Sequence, residues 1–135
     1  MKKNISRLIA GALVAATVVG TGTTSLASKK SFEFCLTSTR KFEHSAANAK
    51  SDNEASAYVT VTSHNLEERD SVSYCVFKPN EEDEVTAVQN FYGKKAPNRT
   101  HFDYLKSSYA VKGKKYKLGV RTNWLAVHLK GRWNS

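Results

Sequence analysis

Short stretches in which apolar and polar residues alternate constrain the fold of this chain more than any other feature. The apolar Phe32, Phe34 and Leu36 are separated by Glu33 and Cys35. A period of two puts successive side chains on opposite faces of a strand, so this segment has one buried face. Similar stretches, rich in β-branched and aromatic residues, span residues 57–63, 71–78, 116–122 and 124–133. The pattern predicts an all-β fold, a single small β-sandwich or barrel of about seven antiparallel strands.

Residues 85–92 fit two kinds of secondary structure. In a helix, Asn80 would be the N-cap, the acidic residues after it would lie in the first turn, and Gly93 would end it. In a strand, the valine, threonine, phenylalanine and tyrosine side chains would fit the pleated surface well. We favour the strand and keep the helix as the alternative.

The connections are predicted from polar and turn-forming residues. Residues 112–114, with Gly113 between two lysines, indicate a hairpin turn, and Thr122-Asn123 indicates the turn of a last hairpin. Residues 100–111 fit one strand or two. Residues 40–56 are too polar for a core element, so we expect a long exposed loop there.

Residues 1–27 have the composition of a secretory signal peptide. A head with three basic residues precedes an apolar run of 12, residues 8–19, and small residues follow at Ser25 and Ala27. We therefore expect cleavage after Ala27 and a single secreted domain over residues 28–135. The Met-Lys-Lys-Asn start and the short leader are typical of bacteria, and we expect a Gram-positive organism, where export leads to the cell wall or the medium.

Two other leaders fit this segment less well. A membrane-spanning anchor needs about 20 predominantly apolar residues to cross the hydrocarbon core. The apolar run of 12 is shorter than that. A lipoprotein needs a cysteine after the cleavage site, and Ser28 occupies that position. Cleavage and release are therefore the expectation.

The charge of the chain is distributed unevenly. The formal net charge is +9, and the leader holds three basic residues and no acidic one, which leaves +6 for residues 28–135. Residues 28–90 contain 7 basic and 11 acidic residues, whereas residues 91–135 contain 11 basic residues and one acidic residue. A field of one sign concentrates polyanions. A basic face that only keeps the protein soluble is the alternative.

Cys35 and Cys75 are the two cysteines of the chain, and each has apolar neighbours. Because export permits disulfide formation, we expect a Cys35–Cys75 disulfide. Closing a loop of about 40 residues would stabilise the fold by about 4 kcal/mol in the chain-entropy description. Two separate buried thiols are the alternative. A catalytic thiol is not expected, because no histidine is near either cysteine in the sequence.

Motifs for catalysis or metal binding are absent from the sequence. The four histidines, at positions 44, 64, 101 and 128, lack the spacing of a metal site. There is no Gly-x-Ser-x-Gly elbow. The acidic run of residues 81–84 lacks the alternating ligands and the glycine of a calcium loop, so we interpret it as a solvated turn. The sequence predicts no cofactor and a protein that is not an enzyme.

Aromatic and basic side chains interleave in the C-terminal half. Cations beside aromatic residues can meet phosphates while the rings stack or enter an interface. The densest basic segment spans residues 112–117, where Tyr116 is expected to point inward. Trp124 and Trp133 are expected in the core or at its edge. The predicted polyanion-binding residues are Lys112, Lys114, Lys115, Lys117 and Arg121.

The layout resembles small exported proteins of Gram-positive bacteria whose domain has no assigned function. The resemblance rests on the opening strand Phe32-Glu33-Phe34, the repeated Tyr/Val strands, and Gly131-Arg132-Trp133 after Leu118, Val120 and Asn123. The chain is also similar in architecture to lactococcin-type bacteriocins, which are signal-bearing, basic, aromatic β-sandwiches. That similarity involves no shared motif and implies no particular site residues.

These observations predict a secreted or cell-wall-associated, non-catalytic protein. Its expected partners are anionic cell-wall polymers or a membrane surface, and not intracellular nucleic acid. The alternative is a secreted bacteriocin-like antimicrobial protein acting on related bacteria. A third hypothesis is a small extracellular hydrolase or an inhibitor of one. The oligomeric state stays open.

Overall fold

The computed structural model describes residues 29–37, 41–124 and 126–135, so the predicted leader lies outside the described residues. In these ranges the chain forms β-strands and one short 3₁₀ helix, η1, at Ser107–Tyr109. The strands are β1 (Lys30–Leu36), β2 (Glu43–His44), β3 (Asn48–Ala49), β4 (Ser56–His64), β5 (Ser71–Phe77), β6 (Gln89–Tyr92), β7 (Thr100–Asp103), β8 (Lys115–Thr122) and β9 (Val127–Asn134).

The strands form two antiparallel sheets. The first sheet has the order β1-β9-β4-β7, and the second has the order β2-β8-β5-β6. Strand β3 also pairs with β8, further along the same edge as β2. Between them, the Ser45 N–H donates to the Leu118 carbonyl, and the Leu118 N–H donates to the Ser45 hydroxyl. Strands β2 and β3 therefore form one interrupted edge strand.

The chain passes from one sheet to the other at six of its eight connections. Of strands adjacent in sequence, only β5 and β6 pair with each other within the described residues. The predicted hairpin around Thr122-Asn123 is therefore wrong, since β8 lies in the second sheet and β9 in the first. Ala126 adopts a φ of 61°, and its N–H donates to the Leu36 carbonyl, which directs the chain to β1. The residues 112–114 form a turn, but it joins β8 to a loop and not to a paired strand.

One hydrophobic core lies between the two sheets. Side chains from the first sheet, such as Trp133 and Phe102, meet Tyr74 and Leu118 of the second sheet in one buried cluster. The Tyr74 ring is 6.4 Å from the Phe102 ring, centroid to centroid. The all-β prediction is confirmed. The barrel is wrong, because among the described strands no ladder joins the two sheets into a closed cylinder.

Other predictions of local structure have mixed outcomes. The strand interpretation of residues 85–92 is confirmed for Gln89–Tyr92, and the helix is wrong. The segment predicted as an exposed loop contains β2 and β3, and the side chain of Lys50 is fully buried beside them. Of residues 100–111, only Thr100–Asp103 is a strand. Trp133 is buried as expected, whereas Trp124 is 49% exposed.

The predicted Cys35–Cys75 disulfide is wrong, since both cysteines are free. Cys35 is exposed on the outer face of the first sheet, between the inward Phe34 and Leu36. Cys75 lies between the inward Tyr74 and Val76, so its side chain points to the outer side of the second sheet. Two sheets that pack about 10 Å apart hold the thiols on opposite sides of the core. A disulfide needs Cα atoms within about 7 Å.

The two thiols are expected to differ in reactivity. Cys75 is fully buried, its thiol donates to the Thr86 carbonyl at 3.3 Å, and burial raises the pKa of the thiol to about 11. In the native protein without reductant, a thiol reagent should label one cysteine quickly. The second should react only after denaturation. The Cys35→Ser variant should remove the fast reaction, and a native protein with no reactive thiol would contradict this description.

Gly131 allows β9 to lie between its two neighbours. It pairs with Phe32 of β1 and Val61 of β4, where the register shifts at a bulge. The Thr60 carbonyl oxygen and the ring of Phe32 occupy the space that a Cβ at this position would need. A backbone oxygen cannot rotate away as a side chain can, so a larger residue must displace the strand.

We therefore expect Gly131→Ala to lower the free energy of unfolding by about 1–3 kcal/mol, the range for an overpacked core. The neighbouring exposed variant Arg132→Ala, on the outer face, should change it by less than about 0.5 kcal/mol. Urea unfolding of both variants measures the difference. Equal stability of the two variants would show that β9 has room at Gly131.

Candidate functional site

Part of the predicted polyanion-binding segment lies in a loop that connects the first sheet to the second. Residues 105–115, here called the cationic loop, run from just after β7 to the first residue of β8. The Leu105 N–H donates to the Val85 carbonyl, the Gly113 N–H donates to the Lys50 carbonyl, and the Lys112 N–H donates to the Asn53 side chain. The backbone of the loop is therefore fixed to two other segments, the connection between β3 and β4 and the segment around Val85.

Side chains of the core hold the middle of the cationic loop. Tyr109 packs against the core, and Ala110 is buried. Tyr116 is buried as predicted, and its hydroxyl donates to the Tyr109 carbonyl at 2.8 Å. Because the aromatic ring and the alanine turn inward, the charged residues on either side of them are left at the surface.

The lysines of the cationic loop are exposed and unmatched by acidic residues. Within the described residues, none of the four takes part in an ion pair. Lys114 Nζ donates to the Ser108 carbonyl at 2.6 Å, and Lys106 Nζ is 5.8 Å from the centre of the Tyr109 ring. Neither interaction neutralises the charge. The four residues are Lys106, Lys112, Lys114 and Lys115.

The other two predicted residues have a different environment. Lys117 and Arg121 lie on the outer face of the second sheet, where Lys117 forms an ion pair with Glu81. The Arg121 guanidinium stacks 4.6 Å from the centre of the Phe42 ring. The structure therefore groups Lys112, Lys114 and Lys115 at the loop and separates Lys117 and Arg121 from them.

The acidic and basic halves of the sequence do not form two oppositely charged faces in the folded protein. Strands β8 and β9, from the basic half, lie between strands of the acidic half in both sheets. Cross-strand pairs such as Lys130 with Glu33, at 3.0 Å, cancel part of the charge. The cationic loop keeps its charge because all its residues come from the basic half.

His44 lies on the outer face of the second sheet, beside the ion pair of Lys117 and Glu81. Its ring lies edge-on against Phe77, and its Nδ1 is 3.6 Å from a Glu81 carboxylate oxygen. Burial lowers the pKa of His44 below its ordinary value of 6.5; Glu81 opposes this shift and Lys117 adds to it. His44 Nε2 is buried with no hydrogen-bond partner among the described residues, so protonation would create an unpaired donor.

This environment predicts acid sensitivity. Because the pKa of His44 is lower in the folded state, the unfolded chain takes up the proton first as the pH falls through the ordinary value of 6.5. The contribution of neutral His44 to the free energy of unfolding should be complete above pH 6.5 and should decrease below it. Urea unfolding at pH 7.5 and pH 5.5 should show a smaller decrease for His44→Gln than for the unchanged protein. The exposed variant His101→Gln is the control, and an identical decrease in all three proteins would contradict the assignment.

A buried cation lies directly beneath the cationic loop. The Lys50 side chain is fully buried, its Nζ is 3.2 Å from an Asp52 carboxylate oxygen, and it lies 5.1 Å from the centre of the Tyr104 ring. Burial alone would raise the pKa of Asp52, but a hydrogen bond from the Glu54 N–H and the charge of Lys50 lower it. The ion pair thus replaces the water that a buried ammonium group loses. Lys50 supports the loop from within and is not available to a ligand.

One pair of residues was not expected from the sequence, which has no histidine near either cysteine. Cys35 pairs with His128 across β1 and β9, and its Sγ is 3.8 Å from His128 Nε2 on the exposed face. The two residues are far apart in sequence, and only the register of β1 against β9 brings them together.

A cleft on the first sheet carries charges of both signs. It has a volume of about 540 Å³ and lies where β4 and β9 meet the segments before β1 and β7. Lys29, Arg99 and Arg132 line it together with Asp52 and Glu54. This mixture favours neither a polyanion nor a polycation, in contrast with the cationic loop.

No group of three or more histidine, cysteine or acidic side chains among the described residues could hold a metal ion. In the same part of the chain, no helix has the length and hydropathy to span a bilayer. Comparison of the chain with protein-family models, with curated proteins and with solved structures finds no match. The site is therefore interpreted from its own geometry.

Proposed function

We propose that this protein is a secreted, non-catalytic binding protein that attaches to anionic polymers or surfaces of the cell envelope through its cationic loop. The observation that supports the proposal is the group of exposed lysines, Lys106, Lys112, Lys114 and Lys115, that have no carboxylate partner among the described residues. Unpaired cations at this density attract a polyanion and release its counterions on binding.

The fixed position of the loop favours binding further. A flexible basic segment would lose conformational freedom when it binds, which reduces affinity. Here the hydrogen bonds to Lys50, Asn53 and Val85 already fix the backbone that carries the lysines. The loop therefore needs no ordering of its backbone when it binds.

The remaining predicted residues are assigned a minor part. To bind a polyanion, Lys117 would have to break its ion pair with Glu81, and Arg121 would have to move off the ring of Phe42. Each exchange costs an existing interaction, so the gain from a new anion is smaller. Lys112, Lys114 and Lys115 are the principal contacts in this proposal.

The test is salt-dependent retention on immobilised lipoteichoic acid and on heparin. Replacing Lys112, Lys114 and Lys115 with Gln should lower the salt concentration needed for elution. The salt dependence of binding should also become shallower, because fewer anionic groups of the polymer are neutralised and fewer counterions are released. The matched control replaces Lys41, Lys94 and Lys95, which are also exposed, with Gln and therefore lowers the net charge by the same amount.

The control separates a binding site from a general charge effect. If the loop is the site, the control triple variant should elute close to the unchanged protein. An equal weakening in the two variants would mean that only the net charge matters. Retention of the loop variant at unchanged salt would refute the proposed function.

A further inference from the structure

The cationic loop also has two exposed apolar residues, Leu105 and Val111. Leu105 is 59% exposed and Val111 is 44% exposed, and they lie on either side of η1. Lys106 directly follows Leu105, and Lys112 directly follows Val111. Each exposed apolar side chain is thus next to an unpaired lysine.

We infer that the cationic loop binds an anionic lipid bilayer by placing Leu105 and Val111 below the level of the lipid headgroups while the four lysines meet the phosphates. This inference rests on the proposed function and names the surface that the loop takes. A residue pair of this kind, apolar beside cationic, is how surface-bound proteins combine apolar burial with attraction to anionic lipids.

The exposure of these two residues is a result of how the loop is built. Tyr109 and Ala110, between them, turn into the core, and the Leu105 N–H is tied to the Val85 carbonyl. Neither apolar side chain can enter the core without breaking these contacts. The backbone of the loop therefore keeps both side chains at the surface, where a bilayer can meet them.

The charges around the two residues favour an anionic surface. Two acidic side chains near the loop, Asp83 and Asp52, are paired, with Lys78 at 2.9 Å and with Lys50 at 3.2 Å. Exposed Glu84, next to Val85, forms no ion pair among the described residues, and the four unpaired lysines of the loop outnumber it. Each lysine close to an anionic bilayer contributes about 1 kcal/mol, which is roughly a fivefold gain in partitioning.

A bilayer uses a part of the loop that a soluble polyanion leaves unused. A wall polymer or heparin supplies negative charge but no apolar phase, so Leu105 and Val111 would stay in water. A bilayer supplies both. The apolar pair is therefore the feature that separates the two kinds of partner.

The experiment measures binding of the purified protein to vesicles of phosphatidylglycerol and phosphatidylcholine in equal amounts, by co-sedimentation. Replacing both Leu105 and Val111 with Ser should weaken binding roughly tenfold, because partial burial of two apolar side chains is removed. The same variant should elute from lipoteichoic acid and heparin at unchanged salt. Vesicles of phosphatidylcholine alone should bind weakly.

The other end of the fold provides a matched control. Tyr92 is 67% exposed, and Trp124 lies beyond the far end of β8 with its ring 4.5 Å from the Arg69 guanidinium. Replacing Tyr92 and Trp124 with Ser also removes two exposed apolar side chains. Vesicle binding should be unchanged in this control.

A fluorescence reporter tests insertion directly. In a Leu105→Trp, Trp124→Phe variant, the remaining native tryptophan, Trp133, is buried in the core and serves as a constant background. The emission should shift to shorter wavelength on addition of the anionic vesicles, and brominated acyl chains should quench it. Unchanged emission of a bound protein would show that charge alone holds it, which overturns the inference.

The outcomes separate the inference from the proposed function. Vesicle binding that is about tenfold weaker in the Ser variant, with polymer retention intact, supports the inference. If the unchanged protein binds the polymers but not the vesicles, or if the Ser variant binds vesicles normally, the inference is wrong and the proposed function stands. If the unchanged protein binds neither, both are wrong.

Discussion

Both sheets depend on a central strand that comes from residues 115–134. Strand β8 carries the ladders to β2, β3 and β5, and β9 carries the ladders to β1 and β4. Without them, β1, β2 and β3 lose their strand partners, and β4 and β5 each keep only one, β7 and β6. The absence of a side chain at Gly131 is part of this constraint, since it lets β9 pack against β1 and β4 at the same point. The fold is thus assembled from contacts between distant parts of the sequence, which is typical of slowly folding β proteins.

The sequence was informative about local structure and uninformative about strand partners. Alternation located β1, β4, β5 and β8 to within a residue or two, because each of these strands has one buried face. The same alternation occurs whichever strand lies alongside, so the hairpin at Thr122 and the disulfide from Cys35 were both predicted wrongly. Lys50 belongs to the segment that is predicted as an exposed loop from its polarity, and nothing in that segment shows that Tyr104, 54 residues later, packs against it.

The candidate site was predictable in part for the same reason. The run of lysines from position 112 to 117 is visible in the sequence, and the structure places most of it at one exposed loop. Its division is visible only in three dimensions: Lys117 meets Glu81, which lies 36 residues away in the chain. The exposure of Leu105 and Val111 is likewise set by tertiary contacts, because it follows from the inward turn of Tyr109 and Ala110.

The separation of the two thiols by the core has a consequence for folding under oxidising conditions. A bond between Cys35 and Cys75 can form only while the chain is unfolded, because the folded sheets hold these residues on opposite faces. Once formed, the bond would keep β1 and β5 from reaching their places. Folding has to be completed before oxidation, and burial of Cys75 then removes one of the two thiols from further reaction. The native structure thus prevents the Cys35–Cys75 disulfide that could form in the unfolded chain.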